Sequence, residues 1–456
     1  MLLHEGKRIG KPCKLMVSQP RRIAALALMK RLRPELGDIV GSRMGHGTKD
    51  ENKSTRIWFV TAGYLVRYLG HHMENFRSHT HLIIDEVHER SADCDLLCFL
   101  CKQLLSKYPD FKIILMSATV DIELYREYFR EYFTSGDSSP SNNILEIPYL
   151  FVGLRRFPVE IIYLDNMNFA ENIKDNYLKK IKKLLHYFSI DGKGKKKSDS
   201  VKNNIKVDID NFKNPRDLFG YQCELIIELI LHNSKACLGK AILIFVAGIS
   251  DIEKLHEMLQ YSFSKRREFR NNKYNYQLLP LHSEILDEAQ ESIFKPASVK
   301  YRQIKIIIAT NVAESSITIP DVDIVICCGT HKSLRYDSNA HSSVLYDDWI
   351  TKANAVQRAG RTGRMAPGKI YRLYPQYLFD AFKKCNDSEL QKMPMEDVIL
   401  SLKEMLIGSK DYNSVCAILE DLPEPPDVKN IQQSFEVLHR CKIYIHIFIK
   451  ILIVLS

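Results

Sequence analysis

The pattern that most restricts this chain is a regular alternation of short apolar runs with stretches of helical period. Lys14–Ser18 is a strand-length apolar run followed by helix-like Arg22–Arg31. Thr55–Val60 is followed by Gly63–Leu69, and Leu82–Ile84 by Asp95–Leu105, before another run at Lys112–Met116. Strands this short, spaced by helices, predict a mostly parallel sheet covered on both faces. A second series begins near Pro158, with strands at Val159–Leu164, Ala241–Val246, Ile304–Ala309, Val322–Cys327 and Ile370–Leu373 and a helix at Ile252–Leu259. The expected fold class is α/β, with two domains in tandem. A length of 456 residues accommodates both, with room for a third region.

The remaining composition narrows the class. With 45% apolar and 26% charged residues the chain is globular, not fibrous or disordered. A net charge of +10 permits a nucleic-acid partner without demanding one. Cys94, Cys98 and Cys101 fall at i, i+4 and i+7 beside Leu97 and Leu100. They are expected inside a helix-packed core, because no second pair with zinc-like spacing answers them. Unpaired cysteines of this kind suit a reducing intracellular compartment, nucleus or cytoplasm. The N-terminal MLLHEGKRIGK lacks the apolar run of a secretory signal.

Four segments are expected: a first domain over 1–148, a second over 149–375, a smaller region over 376–440 and a hydrophobic tail over 441–456. Residues 171–200 carry nine Lys against four acids, so the second domain should contain a helical start and then a solvated basic insertion, about 171–216. In the tail, Ile443–Leu455 is interrupted by His446 and Lys450. It is too short for a comfortable membrane span, and no stable membrane association is expected.

The strongest local signal is Leu82-Ile-Ile-Asp85-Glu86-Val-His88-Glu89-Arg90. An apolar strand delivers two adjacent acids to its C-terminal end, where open parallel sheets bind ligands. Asp85 suits Mg²⁺, which prefers hard oxygen donors. Glu86 is placed to polarise a water for in-line attack on a phosphate. Other short patterns accompany it in order: Gln19-Pro-Arg21-Arg22-Ile-Ala-Ala, Phe59-Val-Thr61-Ala-Gly63, Ser117-Ala118-Thr119, Ala309-Thr310-Asn311-Val-Ala313-Glu314-Ser315-Ser316-Ile-Thr318 and Gln357-Arg358-Ala-Gly360-Arg361-Thr-Gly363-Arg364. Together, over roughly residues 12–440, they resemble the DExH-box family of RNA helicases, of the DEAH type with Val in third place.

The resemblance implies two RecA-like domains of the P-loop NTPase type, followed by the start of a winged-helix region. It implies ATP and Mg²⁺ as nucleotide and metal, with ATP lying between the domains. By the same likeness, Arg361 and Arg364 neutralise phosphate charge, Gln357 orients water, and Gly360 and Gly363 let backbone approach the phosphates. His88, Ser117 and Thr119 couple the nucleotide site to the second domain. Arg21, Arg22 and Thr61 on one domain and Thr310 on the other contact RNA phosphates, which gives affinity without base specificity. The segment Lys332–Ile350 corresponds to a strand-parting hairpin. Its Arg335, Tyr336, Tyr346 and Trp349 suit base stacking, although Trp349 suits core packing equally well. Single-stranded RNA or a duplex with an overhang is the implied partner, alongside activating proteins.

One departure bears on activity. ATPases of this class use G-x-x-x-x-G-K-[ST] to hold the phosphates. Gly6-Lys-Arg-Ile-Gly10-Lys11 has the wrong glycine spacing and no hydroxyl after Lys11, so the loop is expected at or before Met1. The sequence is then either part of a longer ATP-dependent helicase or a catalytically impaired, helicase-like protein that binds RNA or a partner. A DNA helicase is the third reading.

Overall fold

The computed structural model describes residues 8, 10, 13–45, 47, 49–118, 122–134, 147–153, 157–169, 175–189, 215–282, 292–314, 319–337, 342–406 and 415–441. The chain divides into two compact units. The first is Met1–Leu150 with Leu334–Leu345 and Asn386–Ser456, and the second is Phe151–Ser333 with Tyr346–Cys385.

The first unit is built on strands β1 (Leu15–Gln19), β2 (Val40–Arg43), β3 (Lys49–Asp50), β4 (Ile57–Thr61), β5 (His81–Ile84) and β6 (Lys112–Leu115), in the spatial order β3-β2-β4-β1-β5-β6. Only β3 runs antiparallel to its neighbour. All five residues of β1 are buried, as expected of an inner parallel strand covered on both faces. The register sets Gln19 opposite Thr61 and Ser18 opposite Ile84. The C-terminal ends of β1, β4 and β5 therefore lie side by side, and three of the sequence patterns meet at one sheet edge.

The helix Ala92–Lys107 opens with Ser91 accepting from the Cys94 amide at 3.3 Å and carries Asp93 and Asp95 in its first turn. Acids there complement the helix dipole. Its Cys94, Cys98 and Cys101 are all buried; a hydrogen bond with Cys94, together with burial, pushes the Cys98 thiol up, and burial pushes up that of Cys101. The helices Glu396–Leu406, Val415–Glu420 and Val428–Arg440 contribute Ile399, Leu402, Leu419 and Phe435 to the same core as Leu65, Leu69, Leu97 and Leu100. The chain after Asn386 thus completes the first unit's hydrophobic interior. A β-carbon on Gly70 would come within 2.5 Å of Met405 Cγ, so a glycine permits this close approach.

The second unit contains β7 (Val159–Tyr163), β8 (Ala241–Phe245), β9 (Asn275–Leu281), β10 (Gln303–Ala309), β11 (Val322–Cys327) and β14 (Gly368–Arg372), while β12 (Thr330–Asp337) and β13 (Ser342–Trp349) are divided between the units, Leu334–Leu345 being counted with the first. Six form a parallel sheet in the order β7-β14-β11-β8-β10-β9, and β12 pairs with β13. Trp349 lies against Phe382 and Phe188, with ring centroids 5.9 and 6.2 Å away, so it takes the packing role. The side chains of Arg335 and Tyr336 lie outside the described residues.

The basic insertion begins as the helix Asp175–Ser189. Tyr177, Ile181, Leu184 and Phe188 are buried, while Lys179, Lys182 and Lys183 are exposed. Charge counting hid this apolar stripe, whose period is helical. A second helix, Pro215–Asn233, starts at the end of the expected insertion; residues 190–214 and 442–456 lie outside the described residues. Among the described residues, no helix is long and apolar enough to cross a membrane.

Candidate nucleotide and RNA site

In the first unit the acids sit on a tightly determined turn. β5 ends at Ile84, the Asp85 amide donates to Ser18 O at 3.1 Å, and the Val87 amide donates to Met116 O at 3.1 Å. Between these anchors Glu86 adopts φ 57°, and after the turn Val87–Glu89 Arg90 adopts φ 54°. Left-handed backbone at a residue other than glycine costs on the order of 1–3 kcal/mol and persists where the surroundings over-determine it. Tyr125 supplies part of that determination by donating its hydroxyl to Val87 O at 2.7 Å.

The side chains form a connected set. Asp85 Oδ2 accepts from Gln19 Nε2 at 2.8 Å, and its Oδ1 accepts from the Glu86 amide at 2.9 Å. Each carboxylate oxygen has about two acceptor directions, so hard-oxygen capacity for a divalent cation is left over, and Asp85 fits Mg²⁺ chemically. His88 Nε2 lies 3.5 Å from Glu86 Oε2, while His88 Nδ1 accepts from the Ala118 amide at 3.2 Å. With Nδ1 accepting, the proton of a neutral ring sits on Nε2 and faces Glu86. The sequence patterns at Asp85–Arg90 and Ser117–Thr119 are therefore bridged by His88 within the first unit. Ser117 is exposed, and Thr119 lies outside the described residues.

The expected RNA contacts on this unit lie near the same sheet edge. Arg22 is exposed; Arg21 is half-buried, with Nη2 3.6 Å from Glu89 Oε2. Thr61 ends β4, at the start of the helix Ala62–His72. A β-carbon on Gly63 would lie 2.5 Å from Asp93 Oδ2, so a larger residue there would have to displace the Asp93 carboxylate.

The second unit holds the other candidates. The helix Lys352–Ala359 starts in a reciprocal cap between Thr351 and Asn354. Arg358 is 0% exposed: Nε donates to Glu314 Oε2 at 3.1 Å, Nη1 donates to Thr330 O at 3.3 Å, and the group sits 4.9 Å from the centre of the Phe245 ring. Burial acts to lower its pKa, yet the Cys327 and Glu314 neighbours outweigh that and raise it. Asn354 also hydrogen-bonds Glu314. The three arginines of the pattern thus have different environments: Arg358 is sealed in the interior, whereas Arg361 and Arg364 are partly exposed. Arg364 Nε donates to Gly360 O at 3.2 Å, and Gln357 is buried.

The glycines separate similarly. Gly363 adopts φ 74°, and a β-carbon there would lie 2.5 Å from Val159 Cγ2, so the fold itself requires glycine. Gly360 ends the helix at φ −71°, a conformation open to any residue. Thr310 caps the turn Asn311–Ala313, its hydroxyl accepting from the Val312 amide at 3.5 Å. Ser315, Ser316 and Thr318 lie outside the described residues. Sequence reasoning gave no role to Gln19, Glu314, Ser388 or Glu389. Gln19 and Glu314 already stood inside the recognised patterns, but their partners lie far away in sequence.

Residues 222–366 match the helicase conserved C-terminal domain. The DExH-box ATP-dependent RNA helicase DExH1 of Arabidopsis thaliana is 31% identical over 94% of this chain and 42% of that protein. The ATP-dependent RNA helicase dhx29 of Xenopus laevis is 30% identical over 96% of this chain and 33% of its own length. The chain therefore spans less than half the length of these relatives. The crystal structure of Escherichia coli DEAH/RHA helicase HrpB superposes with a TM-score of 0.66 at 22% identity, covering 94% of this chain and 44% of that one, and so shares the fold. With tandem parallel sheets and the ordered patterns, the chain is similar over most of its own length to ATP-dependent RNA helicases of the DExH/DEAH-box family, and residues 222–366 carry that family's helicase C-terminal domain.

Proposed function

We propose that the protein is an ATP-dependent RNA helicase of the DExH type, coupling ATP hydrolysis to RNA unwinding or remodelling of RNA–protein complexes. The observation that carries this reading is the linked set Gln19–Asp85–Glu86–His88–Ala118 at the end of a parallel strand. Asp85 would hold Mg²⁺, which supplies charge neutralisation at the phosphates when bound. Glu86 accepts a proton from the attacking water, and His88, with Nε2 3.5 Å from Glu86 Oε2, holds that carboxylate in place. Arg361 and Arg364 are assigned to developing phosphate charge and Gln357 to water orientation, by family resemblance. The same resemblance assigns Gly360 to the nucleotide and Ser117 and Thr119 to coupling. Arg21, Arg22, Thr61 and Thr310 are assigned to RNA phosphates, with activating proteins as further partners and the nucleus or cytoplasm as the place of action.

The names of the relatives favour RNA over DNA. Strand displacement by protein isolated from its native host tests the choice. ATP-driven displacement of an RNA duplex with a single-stranded overhang, and much slower displacement of the matching DNA duplex, is expected. Equal or faster DNA displacement contradicts the RNA assignment. RNA binding without ATP-driven displacement favours the catalytically impaired reading.

A further inference from the structure

We propose that Ser388, Glu389 and Glu424 position the catalytic turn, acting through Arg90. The inference rests on the function proposed above and adds a means of regulating the same site from the C-terminal part of the chain.

Arg90 closes the turn that starts at Glu86. Its guanidinium is paired with Asp95, Nε at 3.2 Å from Oδ1 and Nη2 at 3.1 Å from Oδ2, and Asp95 is 0% exposed. Four contacts reach this short stretch from Ser388, Glu389 and Glu424, far later in the sequence. Glu424 Oε2 lies 2.9 Å from Arg90 Nη2. Ser388 Oγ donates to Asp95 Oδ2 at 2.8 Å. The Glu389 amide donates to Arg90 O at 2.9 Å, and the Glu389 carboxylate accepts from the Ala92 amide at 3.0 Å. The carboxylate therefore sits at the positive end of the helix Ala92–Lys107.

This arrangement has a physical consequence for Glu86. The turn has left-handed backbone at both ends, so its shape depends on external partners. At the Glu86 end the partners are Asp85 Oδ1 and, through His88, the Ala118 amide. At the Arg90 end they are these C-terminal residues. The C-terminal part is itself fixed to the unit by the Lys102–Asp421 ion pair at 2.7 Å and by Tyr128 donating to Asp421 O at 2.8 Å. A ligand or protein that shifted Ser388, Glu389 and Glu424 would alter the turn carrying Glu86 without touching nucleotide.

The test compares full-length parent protein with Glu389→Ala, Glu424→Ala and the double variant, and with the conservative Glu424→Gln. Two readouts are followed: hydrogen exchange at the Glu89 and Arg90 amides, and RNA-stimulated ATP turnover. Loss of charge-assisted contacts of this kind predicts about tenfold faster exchange and about tenfold lower kcat in the double variant, with KM for ATP nearly unchanged. Glu424→Gln should recover part of the loss. A fall in melting temperature with exchange and kcat unchanged overturns the proposal, because that is the signature of packing alone. If the parent shows no RNA-stimulated hydrolysis, the function reading fails, and the exchange result alone decides whether these residues position the turn.

Discussion

Gln19 and Asp85, 66 residues apart in sequence, are joined by a hydrogen bond of 2.8 Å from Nε2 to Oδ2. Gln19 is fully buried, and β1 lies beside β5 in the sheet. The bond fixes the orientation of the carboxylate proposed to hold Mg²⁺. Gln19→Leu keeps the volume and removes the donor. A hydrogen bond to a charged group contributes about 1.5–3 kcal/mol, so hydrolysis should fall by about tenfold to a hundredfold at limiting Mg²⁺. The loss should shrink as Mg²⁺ is raised, as measured by turnover across a Mg²⁺ titration. A Mg²⁺-independent loss contradicts this role.

Arg358 and Arg361 stand three residues apart and should fail differently. Arg358→Met leaves Glu314 buried without its ion pair, a loss of about 3–5 kcal/mol that thermal unfolding will register. Arg361→Ala should leave the melting temperature almost unchanged. If Arg361 stabilises transition-state charge, its loss should lower turnover about a thousandfold.

His79 gives the first unit an acid sensitivity. It packs against Phe76 and Trp58, with ring centroids 4.9 and 5.3 Å away, and burial lowers its pKa from 6.5 to about 4. Because the folded value is the depressed one, the neutral form is favoured by folding. Stability is fully present above about pH 6.5 and is lost as pH falls toward 4. Linkage gives about 2 kcal/mol lost between pH 7.5 and pH 5 from this residue. Denaturant unfolding of His79→Phe at the two pH values should show that much less acid sensitivity than the parent.

The cysteines predict a labelling order. Cys94, Cys98 and Cys101 are buried, whereas Cys441 is exposed. Brief alkylation of native protein, read by peptide mass, should modify Cys441 first and leave the three helix cysteines intact until unfolding. Early modification of Cys98 or Cys101 contradicts the packed core.

Much of this architecture was legible because buried parallel strands are continuous apolar runs. Ala241–Phe245 and Val322–Cys327 stand out for that reason. Val40–Arg43 escaped notice because it is short and contains Gly41, Ser42 and Arg43. Asn275–Leu281 escaped because it contains Pro280, which its position at the sheet edge tolerates. In the site, the acids announced themselves through their place after a strand. The Gln19–Asp85, Arg358–Glu314 and Arg90–Glu424 pairs did not, since no local period encodes which distant segments the sheet and core bring together.

The most direct measurement is RNA-stimulated ATP hydrolysis by the protein isolated from its native host, side by side with Glu86→Gln expressed in that host. The proposed chemistry predicts hydrolysis by the parent and a loss of several orders of magnitude in the variant, with RNA binding retained. Comparable hydrolysis by both proteins, or none by the parent, contradicts it.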